Sequence, residues 1–191
     1  MNTFRNGFAS IAIGRADGSG VISIGSPTPN STPNSTPNST PVAVTFQDPT
    51  TIRSPNGAGA IVGTGAIVGT DNATISLMGG TVAVGDVTST AGINITSSQG
   101  KLTAGTVSSR STSGVAGPIN IRSAGAVETG NIDAFGAKSG GDISIAAPGR
   151  IVTGVINSSS QSGSAGSSQI TGQKDIEVVS IKARGNTGGD V

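Results

Sequence analysis

The chain has 191 residues, 31 of them Gly, and a net charge of +1 from 11 basic and 10 acidic residues. It contains no Cys and no His, which excludes disulfides, thiol catalysis, Cys or His zinc sites and a Ser-His-Asp triad. The balanced charge and an aromatic content of 2% exclude a basic face or base-stacking platform, so no nucleic-acid partner is expected.

Residues 1–26 are predicted to be a short strand-like N-terminal segment, with Gly-Val-Ile-Ser-Ile-Gly at 20–25. The apolar stretch at 8–13 is followed by Arg15 and Asp17 and by no small-residue cleavage site, so no signal peptide is predicted. No stretch approaches the roughly 18 apolar residues of a membrane span, and no span is expected.

Residues 27–41 consist of Pro-Thr, three copies of Pro-Asn-Ser-Thr and a final Pro, so a proline recurs at every fourth position from 29 onward. Such a segment cannot form ladder hydrogen bonds, so it is predicted to be an extended, solvated linker, or else a long projecting loop, between the N-terminal segment and the body at 42–191. Asn30, Asn34 and Asn38 also fit the glycosylation sequon, although a duplicated linker with incidental sequons is the favoured interpretation.

A repeat of about 25 residues runs through the chain from residue 91, and three short apolar segments recur in each copy. The first column is Ile93-Asn94-Ile95, Ile119-Asn120-Ile121, Ile143-Ser144-Ile145 and Ser168-Gln169-Ile170. The second column starts at Leu102, Val127, Ile151 and Ile176, and the third consists of Val107, Ile132, Ile156 and Ile181. A shorter copy upstream contains Ile75, Val82 and Val87 at the same three positions.

Each predicted strand is too short to bury an apolar face alone, whereas stacking the copies buries a continuous core. The sequence therefore predicts an all-β fold, a right-handed parallel β-helix with rungs of about 25 residues. The six-residue repeat of 59–64 at 65–70 leaves a left-handed solenoid as the alternative. Residues between inward-facing Ile point outward and form a possible polar binding ladder, which comprises Asn94, Asn120, Ser144 and Gln169.

The last residues, 188–191, match the opening of an earlier repeat at 140–143. Because an open solenoid end exposes strand edges and core, a β-helix needs a polar cap. The sequence predicts that a proper C-terminal cap is lacking, and it suggests a fragment or a truncated reading frame of something longer.

The segment 119–132 reads Ile-Asn-Ile-x-Ser-x-Gly-x-x-x-x-Gly-x-Ile, and serine-rich turns such as 158–163 follow. This pattern resembles the repeat region of filamentous-haemagglutinin-like exoproteins of bacterial two-partner secretion, over roughly 56–191. The resemblance implies an extracellular or cell-surface adhesin stalk or fibre, exported through an outer-membrane barrel transporter. The family's Asn-Pro-Asn-Gly motif has its nearest counterpart in Ser-Pro-Asn-Gly at 54–57, and no functional residue is carried over.

Three carboxylates are the best candidates for catalysis, because a glycosidase needs two of them about 5–10 Å apart. Glu128 and Asp133 lie five positions apart in the same repeat, and Asp142 opens the next. Solvated surface charges are the favoured interpretation, so no catalytic residue, cofactor or metal is expected. Calcium binding at Gly140-Gly141-Asp142 is disfavoured because the Gly-Gly-x-Gly-x-Asp spacing is missing.

The expected function is a structural or interaction segment of a secreted or surface-exposed haemagglutinin-like adhesin fibre, without catalysis. Expected partners are surface glycans or neighbouring fibres, together with the transporter. The alternatives are a polysaccharide-active β-helix enzyme and a truncated remnant without function.

Overall fold

The computed structural model describes residues 6–25 and 41–186, which form β-strands joined by turns and contain no helix. The strands are β1 (Ile11–Gly14), β2 (Val21–Ser23), β3 (Val44–Phe46), β4 (Thr50–Ser54), β5 (Ala60–Val62), β6 (Ile67–Gly69), β7 (Ile75–Gly79), β8 (Thr81–Val84), β9 (Val87–Ser89), β10 (Ile93–Ser97), β11 (Leu102–Ala104), β12 (Val107–Ser108), β13 (Ile119–Ser123), β14 (Val127–Thr129), β15 (Ile132–Asp133), β16 (Ile143–Ala147), β17 (Ile151–Asn157), β18 (Ser168–Gly172) and β19 (Ile176–Lys182).

All strand pairs are parallel, and the strands stack in two sheets. One sheet has seven strands in the order β1-β4-β7-β10-β13-β16-β18. The other has 12 strands, and its two halves are joined by the long strand β17, which also pairs with β19. Each rung therefore contributes one strand to the seven-stranded sheet and two strand positions to the 12-stranded sheet. The fold is a parallel β-helix, as the repeat predicts.

The strand register confirms the three predicted columns. Ile93 pairs with Ile119 and Ile119 with Ile143, while Leu102 pairs with Val127. The third column is paired in the same way, through Val107–Ile132, Ile132–Ile156 and Ile156–Ile181. β-branched side chains favour this pleated geometry, and alternation along each strand sends every second residue into the core.

The core is a stack of aliphatic side chains that runs along the helix axis. In β10 and β13 both isoleucine side chains of the Ile-Asn-Ile triplet are fully buried. Phe46 is the one aromatic side chain among the largest fully buried ones, and it lies in the first rung. Stacking of like residues at a spacing of about 4.8 Å gives each Ile a close neighbour above and below, which accounts for their complete burial.

The predicted N-terminal segment supplies strands to both sheets. β1 pairs with β4 and β2 pairs with β5, while β3, on the other side of the Pro-rich segment, pairs with β6. Strands from both sides of the predicted linker thus stack on the same following rung. The predicted linker lies outside the described residues except for Pro41, as does the predicted unfinished rung at 188–191.

The last described rung is less buried than the rung on which it stacks. Ile176 of β19 is 46% exposed, whereas its partner Ile151 in β17 is fully buried.

The hand of the helix and the lack of a C-terminal cap stay predictions. A search of 6–25 and 41–186 for a helix of a length and apolarity suited to crossing a bilayer finds none.

Candidate functional site

The predicted polar ladder lies on the outer surface of the seven-stranded sheet. Asn94 pairs with Asn120, Asn120 with Ser144, and Ser144 with Gln169. The residues on either side of them in each strand point inward, so the four side chains face solvent. The register therefore brings together all four residues that the sequence singled out.

The column continues through three earlier rungs that the prediction did not include. Asn94 pairs with Ser76, Ser76 with Thr51, and Thr51 with Ala12. Six consecutive rungs thus present a hydroxyl or an amide at this position. Ser76 could have been found from the sequence, because it lies in the triplet Ile75-Ser76-Leu77. Thr51 could not, because its triplet begins with Thr50 and breaks the Ile-x-Ile pattern.

The two asparagines form a direct hydrogen bond between rungs. The Nδ2 group of Asn120 donates to Oδ1 of Asn94 at 3.1 Å. This bond uses one donor and one acceptor, so each amide retains further hydrogen-bonding capacity toward solvent or a ligand. No side-chain hydrogen bond joins Ser144 or Gln169 to another residue in the described part of the chain.

A second outward column runs beside the ladder, two positions further along each strand. It comprises Gly14, Arg53, Met78, Thr96, Arg122, Ala146 and Thr171. We call the ladder and this second column together the polar face. The outward positions of these seven strands include two arginines and no carboxylate, so the polar face carries positive charge although the chain is nearly neutral.

Arg122 borders an open groove of about 420 Å³ at the edge of the polar face. The other lining residues are Ser123, Ala146, Ala147, Pro148, Thr171 and Gln173. Sequence analysis did not single out any of these residues. They come from three successive rungs and from the turns after β16 and β18, so only the register reveals that they lie together.

Two of the three candidate catalytic carboxylates, Glu128 and Asp133, lie in the other sheet, where each contacts a basic residue of the preceding rung. Glu128 contacts Nζ of Lys101 at 2.6 Å. Asp133 contacts Arg110 at 3.2 Å, and its other oxygen accepts a hydrogen bond from Asn157. Both carboxylates therefore take part in contacts between rungs, as surface charges with internal partners do.

Two further features surround Asp133. The guanidinium of Arg110 lies 4.4 Å from the centre of the Phe135 ring, within the range of a cation–π contact. A small polar pocket of about 120 Å³ is lined by Asn131, Asp133 and Asn157, with Lys182 at its edge. Because the Asp133 oxygens already accept bonds from Arg110, Asn157 and the Phe135 amide, this pocket is organised around internal contacts.

Asp142, the third candidate, is used by its neighbouring rung. Its Oδ1 accepts hydrogen bonds from the backbone amide and the hydroxyl of Ser167, at 2.8 and 2.9 Å. These hydrogen bonds join equivalent positions of two neighbouring rungs, so the carboxylate is engaged in a contact between rungs. Within residues 6–25 and 41–186, no group of three or more acidic side chains is placed to hold a metal ion.

In comparisons with known proteins, no family model, no curated protein and no solved structure matches the chain.

Proposed function

We propose that this chain is a structural and interaction segment of a secreted or surface-exposed adhesin-like fibre, and that its polar face binds glycans. The observation that carries the proposal is the unbroken column of hydroxyl and amide side chains on the outer face of the seven-stranded sheet. Such groups can both donate and accept hydrogen bonds, which suits the hydroxyls of a sugar.

The stacked architecture also supports a role in binding and scaffolding. The stacked parallel strands form a rigid support, and a site on strands is held more precisely than one on loops. The ladder repeats at about 4.8 Å per rung, so an extended polymer can lie along the axis and meet one polar side chain at every rung. Export through an outer-membrane transporter, and location outside the cell, are parts of the same proposal and follow from the repeat resemblance.

The direct test is a screen of the purified chain against an array of neutral and acidic glycans. The key variant is Asn94→Val/Asn120→Val, because Val keeps the strand preference and removes both amides from the centre of the ladder. We expect the variant to lose binding by about tenfold or more, since two neighbouring contacts to the ligand disappear.

The matched control is Thr88→Val/Thr103→Val, which makes the same kind of change on the outward side of the 12-stranded sheet. Its binding should equal that of the unmodified chain. Equal loss in both variants, or no glycan bound by the unmodified chain, would contradict the proposal. Labelling of intact producing cells with an antibody against the chain tests the proposed location, and labelling only after lysis would contradict it.

A further inference from the structure

We infer that the groove beside Arg122 is the subsite at which the polar face takes a carboxylate-bearing sugar of an acidic glycan. The inference rests on the proposed function, because it assigns the class of glycan and the point of recognition. It is carried by the shape of the groove, by the free guanidinium at its edge and by the lack of acidic side chains on the polar face.

The groove exists because a small residue lies between two larger ones in the second outward column. Arg122 pairs with Ala146, and Ala146 pairs with Thr171. Arg122 and Thr171 are therefore two rungs apart, about 10 Å, and the methyl group of Ala146 leaves the space between them open. Pro148 and Gln173, from the turns that follow, border the same space, whose volume is about 420 Å³.

The guanidinium of Arg122 is exposed and has no ion pair or hydrogen bond with the described residues. This distinguishes it from three other basic residues of the stack, Lys101, Arg110 and Arg150, each of which pairs with a carboxylate of the next rung. A ligand carboxylate at Arg122 therefore competes with no internal partner. It also meets no acidic side chain at the outward positions of the sheet.

The other lining groups suit a sugar ring next to its carboxylate. A guanidinium binds a carboxylate through two parallel hydrogen bonds, which fixes the orientation of the group. Across the groove, Thr171 offers a hydroxyl and Gln173 an amide, and both residues are exposed. Ala146 and Pro148 provide an apolar floor for the C–H groups of the ring, a combination of apolar surface and few polar groups that is typical of small-molecule sites.

Arg53 provides an internal comparison. It occupies the same outward column three rungs before Arg122, at a distance of about 14 Å along the axis. It is half-buried beside Met78, and it does not line the groove. A ligand that responds only to positive charge on the polar face should depend on both arginines, whereas a ligand held in the groove should depend on Arg122.

The experiment compares two forms of one polymer by calorimetric titration of the full chain. The probes are an oligogalacturonate and its fully methyl-esterified form, which share a backbone and differ in the charge of the carboxyl groups. We expect the acid form to bind more tightly. The variant Arg122→Gln should lose about tenfold to a hundredfold in affinity for the acid form, because a charge-assisted hydrogen-bonding group is removed. Arg53→Gln should stay within about twofold of the unmodified chain.

A second pair of variants tests the shape of the groove without changing charge. Ala146→Ile fills the space between Arg122 and Thr171, and we expect it to abolish the preference for the acid form. Thr96→Ile is the matched control, because Thr96 lies beside Arg122 on the opposite side and does not line the groove. Both changes place a β-branched residue at an outward strand position, so the strands should form normally in both.

Equal affinity for the two probes would overturn the inference and leave the proposed function standing, because the polar face would then bind glycans without distinguishing the charged form from the neutral one. Equal loss in Arg122→Gln and Arg53→Gln would also overturn it, since attraction would then be general to the face. Dependence of the acid form on Arg122 but not on Asn94→Val/Asn120→Val would support the groove and count against the ladder.

Discussion

Lys101 of one rung and Glu128 of the next form an ion pair, with Nζ and Oε2 at a distance of 2.6 Å. The same arrangement recurs two rungs later between Arg150 and Glu177. In both cases the basic residue lies immediately before a strand of the 12-stranded sheet, and the glutamate is the outward residue of the strand stacked on it. Val152 lies between the two glutamates in the same column, so they are two rungs apart, and each has a cationic neighbour.

These ion pairs should contribute little to stability, because their side chains are about half exposed. Lys101 and Glu128 are 49% and 47% exposed. A double-mutant cycle with Lys101→Gln and Glu128→Gln should give a coupling free energy below about 1 kcal/mol, which falls as salt is added. The measurement is urea unfolding at low and high ionic strength. A coupling that is larger and insensitive to salt would show that the pair is effectively shielded from solvent.

The engagement of the carboxylates leads to a prediction about catalysis. We expect the chain to release no new ends from polygalacturonate or other acidic polysaccharides, because Glu128 and Asp133 both contact basic residues of the preceding rung. The assay is the appearance of reducing ends or of unsaturated products. Turnover by the unmodified chain that is lost in Glu128→Gln/Asp133→Asn would favour the enzyme alternative, provided that the variant unfolds at the same urea concentration.

A cavity in the middle of the stack should be costly. Ile121 is fully buried between Ile95 and Ile145 of the neighbouring rungs. Ile121→Ala should lower the free energy of unfolding by about 2–5 kcal/mol, and Ile121→Val by about 0.5–1.5 kcal/mol. The same change at Ile170, which is only partly buried in the last described rung, should cost less than half as much. Equal costs at the two positions would contradict the burial pattern.

The sequence was a good guide to the core and the ladder because both repeat with the period of the chain. Asn94 and Asn120 are equivalent positions of two copies, so the repeat alone places them side by side. The groove and the ion pairs do not follow that rule. Arg122, Ala146 and Thr171 occupy one column but have different side chains, and Lys101 contacts a residue that is two positions beyond its own equivalent. Such contacts depend on side-chain size and reach, which a repeat does not encode.

Buried serine hydroxyls tie the ends of the first-sheet strands to the turns that follow. Oγ of Ser97 lies 2.9 Å from the carbonyl of Gly80 and 2.7 Å from that of Gly100, so it can donate to either. Ser97→Ala should therefore cost about 1 kcal/mol of unfolding free energy. Ser76→Ala, on the outward side of the same sheet, is the control and should change stability by less than about 0.5 kcal/mol. A cost at Ser76 equal to that at Ser97 would argue against the inward hydrogen bond.

The sharpest test of a tight turn is at Gly136, a buried residue that bridges Ser111 and Ser160 of the two adjacent rungs. A Cβ atom built at Gly136 would lie 1.7 Å from the carbonyl oxygen of Ser139, a distance at which the backbone must move. Gly20, by contrast, has no atom within 4 Å of the equivalent position. Gly136→Ala should thus destabilise the chain by more than about 2 kcal/mol, as expected for overpacking against backbone. Gly20→Ala should be neutral within about 0.5 kcal/mol, since it is exposed and meets no obstacle. Thermal unfolding of the two variants under one condition checks both values. Because the substitutions are chemically identical, an equal effect would mean that the turn from Gly136 to Ser139 has room for a side chain.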